Sequence, residues 1–264
     1  MKGELIGQGG TSEVFAWGED QVLKLFRSNR YAERAEREVS NTRMAHEAGL
    51  TTLGVSGMVE IAGRPGIIYE RISGPSMLER LRSRPWRLVS LANTLARCHA
   101  AVHERRVSGL PSQRQQLEGW IRDAATPAEV KDAALRGLDK LPEANHLCHG
   151  DVQPGNVLMS GRGPILIDWD RATIGNPLAD VAMTLLMLHL RGMKPVKIGT
   201  WAVQGAAALF RAAYLRRYLR LHQGSRSQIE AWQLPIAVAR VGAVGRGADQ
   251  RLSAYVKTVS LGST

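Results

Sequence analysis

From Leu5 to Ile72 the chain reads as short strands between glycines, with one helical stretch among them. Beyond the turn Ile72-Ser73-Gly74-Pro75 its apolar residues recur mainly on a helical period. That change of period divides the chain into two lobes of different make-up, 1–72 and 73–264. Leu5 to Phe15 and Gln21 to Phe26 read as strands joined by the turn Trp17-Gly18-Glu19-Asp20. Arg30 to Ala48 lacks Gly and Pro, places apolar positions at Ala35, Val39, Thr42 and Ala45, and stops at Gly49, which predicts a helix with a glycine cap. Val55 to Ile61 and Gly66 to Ile72 give two further strands, split by Gly63-Arg64-Pro65-Gly66.

In the second part, Leu88 to Arg106 has the apolar period of a long helix, and Gln113 to Leu141 reads as one or two more, broken near Thr126-Pro127. Short strands at Asn156 to Met159 and Ile165 to Ile167 frame the turn Gly161-Arg162-Gly163-Pro164. From Asp180 onward the pattern is helical, with Gly192, Gly224 and Pro235 as interruptions. A chain of 264 residues, 44% hydrophobic and 22% charged, fills a core without covalent staples. Its two cysteines, Cys98 and Cys148, therefore read as free thiols in a reducing compartment. The first residues carry no apolar leader pattern, and the longest apolar run, Val181 to Leu190, is too short to span a bilayer. These signs predict a cytoplasmic protein with no membrane partner.

The net charge is +11, and from Val181 to Thr264 there are twelve Lys and Arg against two acids, Glu230 and Asp249. Nearly all of the excess thus falls in the C-terminal third, which suits anionic partners such as phosphates, nucleic acid or an acidic surface, with a solvated basic face as the plainer alternative.

The chemistry concentrates in His149-Gly150-Asp151-Val152-Gln153-Pro154-Gly155-Asn156 and, a short distance on, Ile167-Asp168-Trp169-Asp170. An Asp that takes the proton of an attacking hydroxyl, an Asn five residues later and an Asp on the next turn, both facing magnesium, are the parts phosphoryl transfer needs. Asp151, Asn156 and Asp168 fit those roles in order, and His149 reads as an anchor for the loop. Upstream, Gly7, Gly9, Gly10 and Ser12 lie in a loop between strands where missing Cβ atoms let backbone N–H groups approach a triphosphate. Lys24 alternates onto the face opposite Leu23 and Leu25, in reach of the α- and β-phosphates. It needs an anion to hold it, and Glu38 is favoured over its rivals Glu33 and Glu36.

With these residues in place, the chain resembles the aminoglycoside phosphotransferase-like branch of the protein-kinase-like fold, which also includes choline, homoserine and other small-molecule kinases. The likeness runs from about Leu5 to about Leu190. Besides the segments above it is carried by Ile68-Tyr69-Glu70-Arg71-Ile72-Ser73-Gly74, Leu95-Ala96-Arg97-Cys98-His99 and Gly175-Asn176-Pro177-Leu178-Ala179-Asp180. It implies an α+β, bilobal fold, with a small antiparallel-sheet N-lobe holding one helix, a larger mainly helical C-lobe, and ATP with Mg2+ as cofactors. It further implies that backbone groups of Glu70 and Ile72 meet adenine and that Asp180 braces the catalytic loop. Gln153 departs from the pattern, since this branch often has His there and protein kinases Lys; Asn176 stands where Asp is commoner.

Other signals compete. His99 and His103 stand four apart on a helix, a metal-compatible spacing, but without a His-Glu-x-x-His pattern they read as one core and one surface residue. Tyr214, Leu215, Tyr218 and Leu219 form a stripe ringed by arginines that can serve nucleic-acid binding, although a core role for the aromatics is favoured. The expectation is an ATP- and magnesium-dependent phosphotransferase acting on a hydroxyl of a neutral or anionic small molecule. The alternatives are an aminoglycoside kinase, a protein kinase and a non-catalytic nucleotide- or nucleic-acid-binding module.

Overall fold

The computed structural model describes residues 2–192, 200–244 and 250–261. Of the basic residues counted in the C-terminal third, Lys194, Lys197 and Arg246 lie outside the described residues, as do the side chain of Arg191 and the acid Asp249. In chain order the elements begin β1 (Lys2–Gln8), β2 (Ser12–Trp17), β3 (Gln21–Phe26), α1 (Ala32–Glu47), β4 (Val55–Ile61), β5 (Arg64–Glu70) and α2 (Met77–Ser83). There follow α3 (Leu88–His103), α4 (Gln113–Asp123), α5 (Ala128–Asp139), β6 (His146–Cys148), β7 (Val157–Ser160), β8 (Gly163–Leu166) and β9 (Thr173–Gly175). The chain ends with α6 (Pro177–Gly192), α7 (Thr200–Leu221), α8 (Arg226–Glu230), α9 (Gln233–Val244) and α10 (Gln250–Leu261).

These elements fall into two units, Met1–Ser83 with Pro154–Ala172, and Arg84–Gln153 with Thr173–Thr264. The first holds an antiparallel sheet in the order β1-β2-β3-β5-β4, the helix α1, and the β7–β8 hairpin. Strand alternation sorts its side chains. Leu23 and Leu25 pack with Phe15 on one face, while Phe26, Ile67 and Tyr69 on the other receive Ala35 and Val39 of α1. Each large apolar side chain fully withdrawn from water in this way contributes about 1.5–3 kcal/mol. The helix ends at a left-handed Gly49, φ +79, whose N–H reaches His46 O while that of Leu50 reaches Ala45 O, satisfying carbonyls the last turn leaves open.

Two boundaries differ from the sequence reading for local reasons. The stretch Leu5 to Phe15 is not one strand; it turns at Gly9-Gly10-Thr11, so β1 and β2 form a hairpin. The later hairpin turns on Ala62 and Gly63 alone, with φ of +50 and +71, the two-residue turn whose twist suits flanking strands, so β5 begins at Arg64.

The second unit is mainly helical. α3 packs on α7 and α4 on α9, and the short pair β6–β9 is its only described sheet. Asn176 starts α6: its Oδ1 accepts from Leu178 N at 2.9 Å, and Pro177 follows where a missing N–H costs no helical bond. Pro235 does not interrupt the chain's last helices as the sequence suggested. It is the third residue of α9, in the first turn, where the amide has no intrahelical acceptor. Tyr214 and Tyr218 are both fully buried, so the aromatic stripe is core and presents no stacking platform. An antiparallel sheet with one helix, followed by a mainly helical unit, is the make-up of the protein-kinase-like fold.

Candidate active site

In the first unit a cavity of about 680 Å³ is lined by Gly7, Gly9, Ser12, Lys24, Glu38, Glu70, Ile72, Asn156 and Asp168. Gly10 belongs to the same turn but not to the lining. Neither Gly9 nor Gly10 has a positive φ. A Cβ on Gly10 would meet nothing within 4 Å, and one on Gly9 would meet Ser12 O at 3.6 Å, an ordinary contact. The protein itself therefore does not demand glycine at either position.

Lys24 is the centre of charge in this cavity. Strand alternation turns it to the face that α1 covers, and its Nζ lies 2.6 and 2.7 Å from the two Glu38 oxygens and 2.8 Å from Asp168 Oδ1. Burial alone would pull the ammonium's pKa down, but the carboxylates of Asp168 and Glu38 outweigh it and hold it above its ordinary value. Glu38 is 1% exposed; burial raises its pKa and Lys24 opposes that rise. The Tyr69 hydroxyl, which the sequence reading did not single out, donates to Glu38 Oε1 at 2.8 Å. Glu70 bonds outward: its N–H donates to Gly54 O at 2.9 Å and its carboxylate accepts from Gly54 N at 2.8 Å and Arg162 Nη2 at 2.9 Å.

Asp168 stands on a turn with φ +70, a left-handed conformation that Asp tolerates at a cost of about 1 kcal/mol or more. Two contacts fix this segment: Asn41 Nδ2 donates to Trp169 O at 2.9 Å, and Arg34 Nε lies 2.7 Å from Asp170 Oδ2. The cavity thus presents a carboxylate, Asp168, and an amide oxygen, Asn156. Both are hard oxygen donors of the kind magnesium takes.

Asp151 belongs to the second unit, where its loop is held from below. Asp180, 1% exposed, accepts from His149 N at 2.7 Å through Oδ2 and from Gly150 N at 3.0 Å through Oδ1. Gly150 takes φ +79, so the two amides turn toward one carboxylate. The Asp151 N–H in turn donates to His149 Nδ1 at 3.2 Å, and Gln153 Nε2 donates to Asp151 Oδ2 at 2.9 Å.

Behind Asp180 stand the two histidines of α3. His99 Nε2 is 3.2 Å and His103 Nε2 3.3 Å from Asp180 Oδ2, while their Nδ1 atoms meet the hydroxyls of Tyr214 at 2.6 Å and Tyr218 at 2.7 Å. Both are fully buried, which corrects the reading of one as a surface residue. Burial would raise the Asp180 pKa, but the neighbouring imidazoles hold it well below the usual carboxylate range. Burial pushes His103 down to about 3, so it is neutral there. Spacing alone puts these histidines on one face of a helix but does not reveal their partners, which lie far along the chain.

The solved structures that this chain resembles have the same fold. A thermostable mutant of the aminoglycoside phosphotransferase APH(4)-Ia, in ternary complex with AMP-PNP and hygromycin B, superposes with a TM-score of 0.67 at 18% identity, covering 100% of this chain and 92% of the other. A choline/ethanolamine kinase family protein from Mesorhizobium loti gives 0.61 at 17% identity, over 98% of this chain and 86% of that one. The amicoumacin kinase hAmiN, in complex with AMP-PNP, Ca2+ and Ami, gives 0.62 at 15% identity, over 98% and 87%. No curated protein matches the sequence. Among the described residues, no helix is long and apolar enough to cross a membrane. Residues 2–232, which include every residue of the site above, match the phosphotransferase enzyme family, and the chain belongs to that family.

Proposed function

We propose that this phosphotransferase uses ATP with magnesium and moves the γ-phosphoryl group to a hydroxyl of a small molecule, neutral or anionic rather than polycationic. The observation that carries the reading is Lys24, held between Glu38 and Asp168 in a cavity roofed by a glycine turn. A lysine fixed by one buried carboxylate can lend its charge to the α- and β-phosphates, and glycines that nothing in the protein requires leave room for a nucleotide's oxygens. In this reading residues 1–72 act as the nucleotide lobe and 73–264 as the lobe of the catalytic loop. The carbonyl of Glu70 and the N–H of Ile72 face the adenine, since the Glu70 N–H is already committed to Gly54.

Asn156 and Asp168 would hold the magnesium, which supplies charge neutralisation to the phosphates when bound. Asp151, five residues before Asn156 in the sequence, receives the hydroxyl proton as the acceptor oxygen bonds the γ-phosphorus; the bond from that phosphorus to the β–γ bridging oxygen breaks and ADP leaves. The backbone bonds to Asp180 support a loop held rigid before substrate arrives.

The acceptor class rests on charge. Aminoglycosides are polycations, and the described C-terminal helices present Arg211, Arg216, Arg217, Arg220, Arg226, Arg240, Arg251 and Lys257 against one acid, Glu230. A screen of hydroxyl compounds with labelled ATP and magnesium tests the whole reading. Transfer to neutral or anionic alcohols is expected, with none from Asp151→Asn. Efficient transfer to kanamycin would overturn the acceptor class, and full turnover by Asp151→Asn would overturn the mechanism.

A further inference from the structure

The second unit contains a cavity of about 360 Å³ among α6, α7, α8, α9 and α10, which shares no lining residue with the cavity around Lys24. Part of its wall is apolar, formed by the buried Leu186, Ile229 and Ile236, and the rest is polar, with His189, Arg211, Gln233 and Tyr255. Three groups from three different helices meet at its edge. The rings of His189 on α6 and Tyr255 on α10 lie 5.1 Å apart, and Arg211 on α7 lines the same space.

The charges facing this cavity do not balance. Arg226 and Glu230 both line it but satisfy one another, Nε to Oε1 at 2.8 Å. Arg211 is half-buried and makes no ion pair among the described residues. Burial lowers its pKa, the direction a carboxylate beside it would have reversed. A guanidinium half withdrawn from water beside an apolar wall, with no anion of its own among the described residues, is a costly arrangement that a bound anion relieves. One unbalanced positive charge matches a singly charged head group better than a dianion, and the apolar part of the wall asks for an apolar body. The size suits a small organic molecule.

We propose that this cavity binds a small carboxylate, its head on the Arg211 guanidinium and its apolar body against Leu186, Ile229 and Ile236. Ala182, on the wall, follows Asp180 by two residues, so the site borders the helix turn that holds the Asp151 loop. The proposal concerns binding and stands whether or not the phosphoryl-transfer reading does.

The test uses phenylacetate and its uncharged analogue phenylacetamide on the full chain, read by calorimetry and by thermal shift. Saturable binding of phenylacetate is expected, at least tenfold tighter than phenylacetamide. Arg211→Gln should erase that preference and Arg211→Lys should keep part of it. Circular dichroism of each variant separates lost binding from lost folding. Asp151→Asn should bind phenylacetate like the unmodified chain, which keeps a failure of catalysis distinct from a failure of this site. Equal affinity for acid and amide, no saturable binding, or an undiminished preference in a folded Arg211→Gln would overturn the proposal.

Discussion

Gln153 donates its side-chain amide to Asp151 Oδ2 over 2.9 Å, while its own Oε1 is buried with no hydrogen-bond partner among the described residues. The donated bond orients the carboxylate; the stranded oxygen costs about 1–3 kcal/mol of folding free energy. One variant separates the two effects. Gln153→Ala should change the melting temperature little, because the lost bond and the void left by a buried side chain offset the relief of the stranded oxygen. On the role proposed for Asp151, it should also lower the magnesium-dependent rate of phosphate transfer by about tenfold, since a hydrogen bond to a charged group is worth about 1.5–3 kcal/mol. A variant that loses stability and keeps its rate would show the amide to be structural only.

Lys24 joins two carboxylates, so its removal takes the ammonium from both. Lys24→Ala should cost about 3 kcal/mol or more at neutral pH, as breaking a buried pair does. The pH dependence has a definite sign. Burial already raises the Glu38 pKa, and removing Lys24 removes the largest influence that opposes that rise. A carboxyl whose folded pKa is raised contributes its stability below its ordinary pKa and loses it as pH rises. The penalty should therefore be smaller near pH 5 than near pH 8, measured by urea unfolding at each; a penalty independent of pH would contradict the account.

Much of this arrangement is legible in the residues themselves. Glu38 follows Ala35 by three positions and adjoins Val39 on the apolar stripe of α1, and it is buried, whereas Glu33 and Glu36 on the outer face are exposed. Lys24 follows from strand alternation alone. The histidine pair is different. A period of four says that His99 and His103 share a face, but what makes that face dry is Tyr214, Tyr218 and Asp180, whose approach depends on how α3, α6 and α7 pack. Likewise Pro235 breaks a helix in a pattern read by residue type, and is harmless once its position in the first turn is known.

His103 gives the chain an acid sensitivity. Its imidazole is neutral in the fold, with a pKa pushed down to about 3 against 6.5 when exposed. In that window the unfolded chain binds a proton that the folded chain does not. The stability is therefore whole above pH 6.5 and declines as pH falls toward 3, by up to about 1.4 kcal/mol per pH unit for this one group. His103→Gln keeps an N–H for Asp180 and cannot titrate, so its unfolding free energy should be flatter between pH 6.5 and 4. Identical slopes for the two proteins would show that other groups carry the acid response.

The glycine turn separates binding from stability. Because neither backbone angle nor neighbouring atoms require glycine at position 9, Gly9→Ala should leave the melting temperature within about 1 °C, consistent with a surface change of under about 0.5 kcal/mol. Its nucleotide affinity, measured by calorimetry with AMP-PNP and magnesium, should fall several-fold. An unchanged affinity would remove the loop from the proposed nucleotide site.

Two helical glycines of this chain should respond to the same substitution with opposite signs. In an exposed helix Gly→Ala removes backbone freedom from the unfolded chain and stabilises by about 0.5–1 kcal/mol. Gly205 on α7 is exposed, and a Cβ there would meet nothing within 4 Å, so Gly205→Ala should raise the melting temperature. Gly242 on α9 faces α4 so closely that a Cβ would lie 1.8 Å from the Trp120 carbonyl oxygen. That is a backbone atom and cannot rotate away, so α4 and α9 must part for an alanine to fit. Overpacking of this kind costs about 1–3 kcal/mol or more, which outweighs the propensity gain. Gly242→Ala should lower the urea midpoint while Gly205→Ala raises it, with the slope of the transition unchanged in the latter. A stabilised Gly242→Ala would mean that the two helices do not approach as described.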